Sequence, residues 1–289
     1  MKTILVTGAT GFIGCYVIPA LLERGCHVIA SSVDEQKARQ QPWYSQVTYI
    51  PFDFADLDPF SDYYSIFGSP DRMIHLAWEG LPNYKADFHI SVNLPRHLAF
   101  LQNLLMGGLK DITITGTCFE YGMREGELKE DFVVSPTNPY AIAKDRLRIA
   151  LTELQFSEGF SLKWVRLFYM FGKGQSTNSL LSQLDKALDE GQFVFNMSGG
   201  EQVRDYLPVE EVARNIVKIA LQEKVTGIIN CASGQPVTIR QFVQGYLEST
   251  RKSIHLNLGH YPYPDYEPMS FWANTKKLQT IVSEPARGC

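Results

Sequence analysis

The chain has 289 residues, 45% hydrophobic and 20% charged, and 27 basic against 31 acidic side chains leave a net charge of −4. That composition fits one large or two small globular units and argues against a disordered chain. No long basic block points to nucleic acid, and five scattered cysteines without a CxxC pair or Cys/His cluster argue against a disulfide framework or structural zinc and fit a reducing cytoplasm.

Lys2 to Leu5 reads as a short apolar strand. It runs into Val6-Thr7-Gly8-Ala9-Thr10-Gly11-Phe12-Ile13-Gly14. A helical pattern follows, with apolar Tyr16, Val17, Ala20 and Leu21 and a stop at Arg24-Gly25, and His27 to Ala30 reads as the next strand. In such a strand–helix–strand unit Gly8 allows the tight turn, Gly11 leaves the backbone open to a pyrophosphate, and Gly14 lets the helix sit close to the strand. The N–H groups that open the helix would face the diphosphate. The uncharged run Thr3 to Leu22 imitates a membrane span, but three glycines, three threonines and Pro19 interrupt it. Pro19 lies past the first turn and is expected to bend the helix.

Further on, Val47 to Asp53 reads as a third strand ending in an acid, and Met73 to Ala77 as a fourth. Asn93 to Leu105 has helical periodicity, and the β-branched run Asp111 to Thr115 is a fifth strand. Its end enters Gly116-Thr117-Cys118-Phe119-Glu120-Tyr121-Gly122. After a polar loop, Asn138 can cap and Pro139 can open a helix to about Leu154, and Leu162 to Phe168 is a sixth strand. Strands alternating with helices predict a parallel sheet covered on both faces. Past Gly172 the expected elements are helices at Ser179–Leu188, Val209–Gln222 and Gln241–Ser249 and strands at Gln192–Asn196 and Gly227–Cys231. The Pro- and Tyr-rich stretch His260–Tyr266 reads as irregular.

Tyr140 and Lys144 are four apart on a predicted helix, so they share one face. A free phenol has a pKa near ~10, and an ammonium beside it favours the phenolate. Such a tyrosine can give a proton to a carbonyl oxygen as hydride reaches the carbon, or take one in reverse. Thr117, at the end of the fifth strand, is the natural hydroxyl to hold that oxygen. Cofactor choice is read from the second strand's end. Ala30-Ser31-Ser32 offers two hydroxyls, Asp34 comes late, and no carboxylate stands where NAD-preferring folds bind the ribose, which favours NADP(H) over NAD(H).

Taken together, the glycine turn, His75-Leu76-Ala77, Asn93, Thr117 with Tyr121-Gly122, Pro139-Tyr140 with Lys144, Val165-Arg166-Leu167-Phe168 and Arg204-Asp205-Tyr206 resemble the extended short-chain dehydrogenase/reductases. These are the NAD-dependent epimerases and dehydratases of nucleotide sugars. The resemblance covers nearly the whole chain and implies an α/β fold: a Rossmann-type doubly wound parallel sheet over residues 1–172, rejoined at about 205–232, with a smaller substrate-binding α/β lobe in 173–289. It implies Tyr140 as acid/base, Lys144 on the nicotinamide ribose, Thr117 beside the substrate carbonyl, and Thr10, Phe12 and Ile13 with the glycines around the cofactor. Asp53 with Phe54, Leu76, Ala77, Trp78 and Asn93 would line the rest of the cofactor cleft, while Cys118, Phe119, Tyr169 and Arg204 would meet substrate, Arg204 at the diphosphate. Simpler roles stay open: a loop cap for Asp53, an ion pair with Asp205 for Arg204, a satisfied core histidine for His75 and a local structural bond for Asn93.

Departures from the family pattern bear on the reaction. Cys118-Phe119 follow Thr117 where the 4,6-dehydratases have Asp-Glu, so dehydration is disfavoured. Phe119 takes the place of the 3,5-epimerase cysteine, with Cys118 one residue early and turned to the other face. Tyr169 stands where asparagine is usual, and Lys173 where proline is frequent. What remains suits reduction of the 4-keto group of a nucleotide-linked 6-deoxyhexose, of the 6-deoxytalose or abequose type, by a cytoplasmic enzyme without metal that can pair as a homodimer. A 4-epimerase with tightly held NAD is the alternative, and a non-catalytic protein on the same fold a third reading.

Overall fold

A computed structural model describes residues 2–283. Seven strands form one sheet: β1 (Thr3–Thr7), β2 (His27–Ser31), β3 (Thr48–Tyr49), β4 (Arg72–His75), β5 (Asp111–Thr117) and, after the short β6 (Gly126–Leu128), β7 (Ser161–Leu167) and a late strand at Gly227–Cys231. All neighbours are parallel, and the late strand lies outside β7, followed inward by β5, β4, β1, β2 and β3. The chain therefore starts mid-sheet, runs out to β3 and crosses back to β4. That leaves a crevice at the carboxyl ends of β1 and β4, where Thr7 pairs with His75.

Helices cover both faces, as strands buried on both sides require. On one face lie α1 (Gly14–Leu22) and a late helix at Val209–Leu221, around a core that includes Val17, Leu21, Val28, Ile216 and Ile229. The short α2 (Glu35–Arg39) adds Ala38 to that core, while on the other face α3 (Tyr63–Ile66) is joined by α4 (Leu94–Gly107) and α5 (Pro139–Glu158), whose Phe100, Leu104, Leu147 and Leu151 pack with Trp164. The rest of the chain adds β8 (Tyr169–Phe171), α6 (Leu180–Asp189), β9 (Val194–Asn196), β10 (Val203–Pro208), α7 (the late helix), β11 (the late strand), β12 (Pro236–Thr238), α8 (Ile239–Thr250), β13 (His255–Asn257), β14 (Phe271–Ala273) and α9 (Lys276–Val282). Strands β12, β10 and β8 form a small sheet, and α6 and α8 share a separate core with Phe195 and Met197. Through α7 and β11 the chain returns to the large sheet after building much of the smaller lobe.

Several local signals operate as read. Asn138 accepts a hydrogen bond from Ala141 N at 2.9 Å and Pro139 opens α5. α1 runs through Pro19, which gives it no N–H. The third strand is shorter than its pattern because Pro51 lacks an N–H. Ladder pairing stops at Tyr49, although Ile50 and Phe52 still donate to Ala30 and Ser32 at 3.0 and 3.2 Å. α8 starts two residues earlier than its periodicity indicated, because Thr238 and Gln241 form a capping box. Strands β6, β8, β10 and β12–β14 and helix α9 are additional to the elements expected from the sequence; all of these strands but β10 are three residues long, too short for a period of two to stand out. No described helix is long and apolar enough to cross a membrane.

Gly14 shows how tightly the first turn is drawn. A Cβ there would lie 2.3 Å from Gly8 O and 2.6 Å from Ala9 O. Backbone cannot swing aside, so Gly14→Ala should lower unfolding free energy by roughly 1–3 kcal/mol, measured by urea denaturation; unchanged stability would mean that α1 has room to move off the turn.

Candidate active site

Three elements converge at the carboxyl end of β5. The strand ends at Thr117, which caps the next turn: its Oγ1 accepts from Phe119 N at 3.2 Å, while Thr117 N donates to the Glu120 carboxylate at 2.8 Å. Tyr140 comes from the first turn of α5, and its N–H donates to Tyr84 O at 3.1 Å. Lys144, one turn on, is only 1% exposed, and its Nζ donates to Thr115 O at 3.0 Å. Phenol, hydroxyl and ammonium thus gather around Thr115-Gly116-Thr117.

Their titration is set by burial. The Tyr140 phenol is pushed far above the ordinary range, first by desolvation and then by Tyr84, Glu120 and Cys118, while a hydrogen bond with the Thr117 side chain works the other way. Lys144 is brought down to about 7 by desolvation, partly opposed by Glu120. The expected lowering of the phenol pKa by Lys144 is thus absent from this arrangement: the ammonium faces the Thr115 carbonyl, and burial keeps the phenol protonated. A protonated phenol bonded to a hydroxyl is the form that donates to a carbonyl oxygen. Burial also pushes the Cys118 thiol up, so at neutral pH it is no base.

Beneath the site lies a feature that sequence reading did not find. Glu120, fully buried, accepts from Thr117 N, from Trp164 Nε1 at 3.0 Å and from Arg166 Nε at 2.7 Å. Arg166 lies over the Tyr121 ring at 4.4 Å, and Tyr121 donates to Asn230 Oδ1 at 2.7 Å. Gly116 is required here, since a Cβ would meet Trp164 Nε1 at 2.2 Å and Glu120 Oε1 at 2.5 Å. Glu120 and Arg166 stand 46 positions apart, so no local pattern joins them.

At the crevice, the glycine turn fits a dinucleotide. Gly8 has φ +73° and a Cβ there would lie 2.7 Å from Ala77 N, whereas Gly11 is exposed with only Gly8 O nearby at 3.1 Å. Phe12 and Ile13 stand between that open backbone and α1. Thr10 Oγ1 donates to Ser32 Oγ at 3.0 Å, and Ser32 is joined to Tyr49 Oη at 2.9 Å; Ser31 is buried. Asp34 caps α2 through Lys37 N and is not turned to the strand end. The Asp53 carboxylate accepts from Ala55 N at 2.8 Å, and Phe54 packs among Phe52, His75, His97 and Phe100. Leu76 packs on the α1 side of the sheet, and Ala77 and Trp78 on the α4 side. Asn93 ends a π-helical turn, His89–Asn93, and donates to Glu79 O at 3.0 Å. His75 is fully buried and bonded through both ring nitrogens.

Among the residues expected to meet substrate, Phe119 lies 5.1 Å from the Tyr84 ring and 6.5 Å from that of Tyr169. Arg204 and Asp205 do not pair, because neighbours on a strand face opposite ways. Asp205 accepts from Ser233, Gly234 and Ala273 N–H groups. Arg204 is fully buried, bonded to Glu267 at 2.8 Å and packed on Phe271 at 4.6 Å. Arg204 Nε and Tyr169 Oη are buried without a hydrogen-bond partner among the described residues, as are Nη1 and Nη2 of Arg166.

Residues 4–232 match the NAD dependent epimerase/dehydratase family. The chain belongs to that family. It is similar to a dTDP-6-deoxy-L-talose 4-dehydrogenase (NAD(+)) of Aggregatibacter actinomycetemcomitans, 29% identical over 93% of this chain and 98% of the relative. It is also similar to a UDP-glucose 4-epimerase of Halalkalibacterium halodurans, 26% identical over 96% and 89%. The fold is that of UDP-glucuronic acid 4-epimerase from Bacillus cereus, solved in complex with NAD: TM-score 0.81 at 22% identity, covering 98% of this chain and 94% of that one. The chain is therefore an NAD(P)-dependent enzyme of nucleotide-sugar chemistry on a Rossmann fold.

Arg166→Met should destabilise the protein by about 3–5 kcal/mol, because it strands a buried carboxylate. Adding Glu120→Gln, which keeps an acceptor for Thr117 N, should restore more than half of that loss. Urea unfolding of both single variants and the double checks it; additive losses would show that the pair is not coupled.

Proposed function

We propose that this enzyme reduces the 4-keto group of a nucleotide-activated 6-deoxyhexose, with NADP(H) favoured over NAD(H). The observation that carries the proposal is the convergence of the buried Tyr140 phenol, the Thr117 hydroxyl and the Lys144 ammonium at the carboxyl end of β5. Tyr140 would donate its proton to the ketone oxygen, Thr117 would hold that oxygen, and Lys144 would supply positive charge beside the developing alkoxide. The bound nicotinamide supplies the hydride. Beside the reacting group stand Phe119 and a thiol held protonated, neither able to remove a proton from sugar carbon, which favours simple reduction over dehydration or 3,5-epimerisation. Arg204 would exchange Glu267 for the diphosphate, a guanidinium fork being suited to phosphate oxygens.

The cofactor preference rests on the β2 end, where Ser31 and Ser32 present no carboxylate to repel a 2′-phosphate. The 6-deoxytalose relative carries NAD(+) in its name, so the two cofactors must be compared directly. A 4-epimerase is the second reading, favoured by the Halalkalibacterium relative; it would retain dinucleotide through purification and turn over with none added.

Dinucleotide oxidation should proceed with 4-keto-6-deoxy sugar nucleotides and with NADPH in preference to NADH. Bound NAD released on denaturation, with no net oxidation, would establish the epimerase instead. Tyr140→Phe should lower kcat by ~10²-fold or more with cofactor binding retained, and full activity in that variant would remove the mechanism.

A further inference from the structure

Lys144 is buried and donates to Thr115 O, and no carboxylate lies within ion-pair distance of it among the described residues. Its Nζ sits instead 4.0 Å from the centroid of the Trp78 ring. We propose that Trp78 is the positioning residue for Lys144, its indole face holding the ammonium where another site would use a carboxylate. Indole is the strongest aromatic partner for a cation, and the attraction grows when water is excluded.

The ring is held from behind. His97 stacks on it at 4.7 Å and 21°, and its Nε1–H donates to His89 Nδ1 at 3.1 Å. Because His89 Nδ1 accepts, Nε2 carries the proton and donates to Asn83 O at 2.8 Å. His97 Nδ1 lies 2.9 Å from His75 Nε2, and His75 Nδ1 lies 2.7 Å from Thr7 Oγ1, the residue before Gly8. A continuous column thus runs from the cofactor turn to the lysine.

The column adds no competing charge. Burial holds His75 down to about 3 and His97 well below the usual imidazole range, and His89 is lowered too. The groups that face Lys144 are these three imidazoles, from β4, α4 and the π turn, Glu120 from the turn after β5, and Tyr140 on its own helix. Desolvation dominates and Glu120 opposes it. Besides Glu120, the contacts that favour the charged form are the Thr115 carbonyl and the indole face.

The inference takes Lys144 as the catalytic ammonium, and its test separates the two ideas. Protein grown with 5-fluorotryptophan keeps the indole shape but weakens its face, and the 19F resonance of Trp78, assigned with Trp78→Phe, reports the charge on Lys144 without turnover. That resonance should titrate near neutrality, lose the transition in Lys144→Met, and shift its midpoint lower with 5,6-difluorotryptophan. In activity, Trp78→Leu should bring the alkaline loss of kcat/KM roughly one pH unit lower, a roughly tenfold loss just above neutrality, with Trp78→Phe between. A Lys144-dependent transition whose midpoint ignores fluorination overturns the proposal, whatever the pH–rate profile does. If Trp78→Leu does not fold, the fluorinated series decides alone. A 19F midpoint that moves while the pH–rate profile stays fixed would retain the contact and remove Lys144 from the mechanism.

Discussion

A buried ion pair fixes the geometry of this enzyme's centre. Glu120 is fully buried and accepts from three donors: the Arg166 guanidinium, the Trp164 indole and the Thr117 amide. Removing two charges from water is costly, and burial of the pair is favourable only when its hydrogen bonds are well made. That demand disciplines the neighbourhood. Gly116 must lack a side chain, Thr117 is held by its amide while its hydroxyl caps the following turn, and the end of β5 is locked to β7. The reacting groups themselves make few strong bonds; their placement comes from the layer beneath.

Charge in the cleft follows the same logic. Desolvation acts in opposite senses on the two groups of α5, raising the phenol and lowering the amine. At neutral pH the first stays protonated and the second sits near its midpoint. This keeps a protonated phenol at the end of β5 and leaves the lysine's charge sensitive to its immediate contacts, the Thr115 carbonyl and the Trp78 face.

The large sheet was legible because it rests on local signals: apolar β-branched runs, a glycine turn between strand and helix, and an Asn-Pro helix start. The pairing of Tyr140 with Lys144 was legible for the same reason, since both lie on one helix. What could not be read depends on distant partners. Arg166 was visible inside an apolar strand, yet nothing near it named Glu120 as its counter-charge. Arg204 looked able to pair with Asp205, its neighbour in sequence, but strand pleating sends it to Glu267, 63 positions away. The three-residue strands of the smaller lobe exist only through partners that local pattern cannot supply.

The chain's return path ties the two lobes into one folding problem. β11 covers the outer side of β7, and α7 covers the face shared with α1, yet both come after β8 and α6 have been built elsewhere. A fragment ending at Gly172 would therefore present β7 as a bare edge and leave one side of the sheet greasy and unroofed, a template for association between chains. During synthesis the nascent dinucleotide-binding half must wait for more than fifty further residues before it can close, so it emerges from the ribosome unfinished, still tethered and dependent on its own tail.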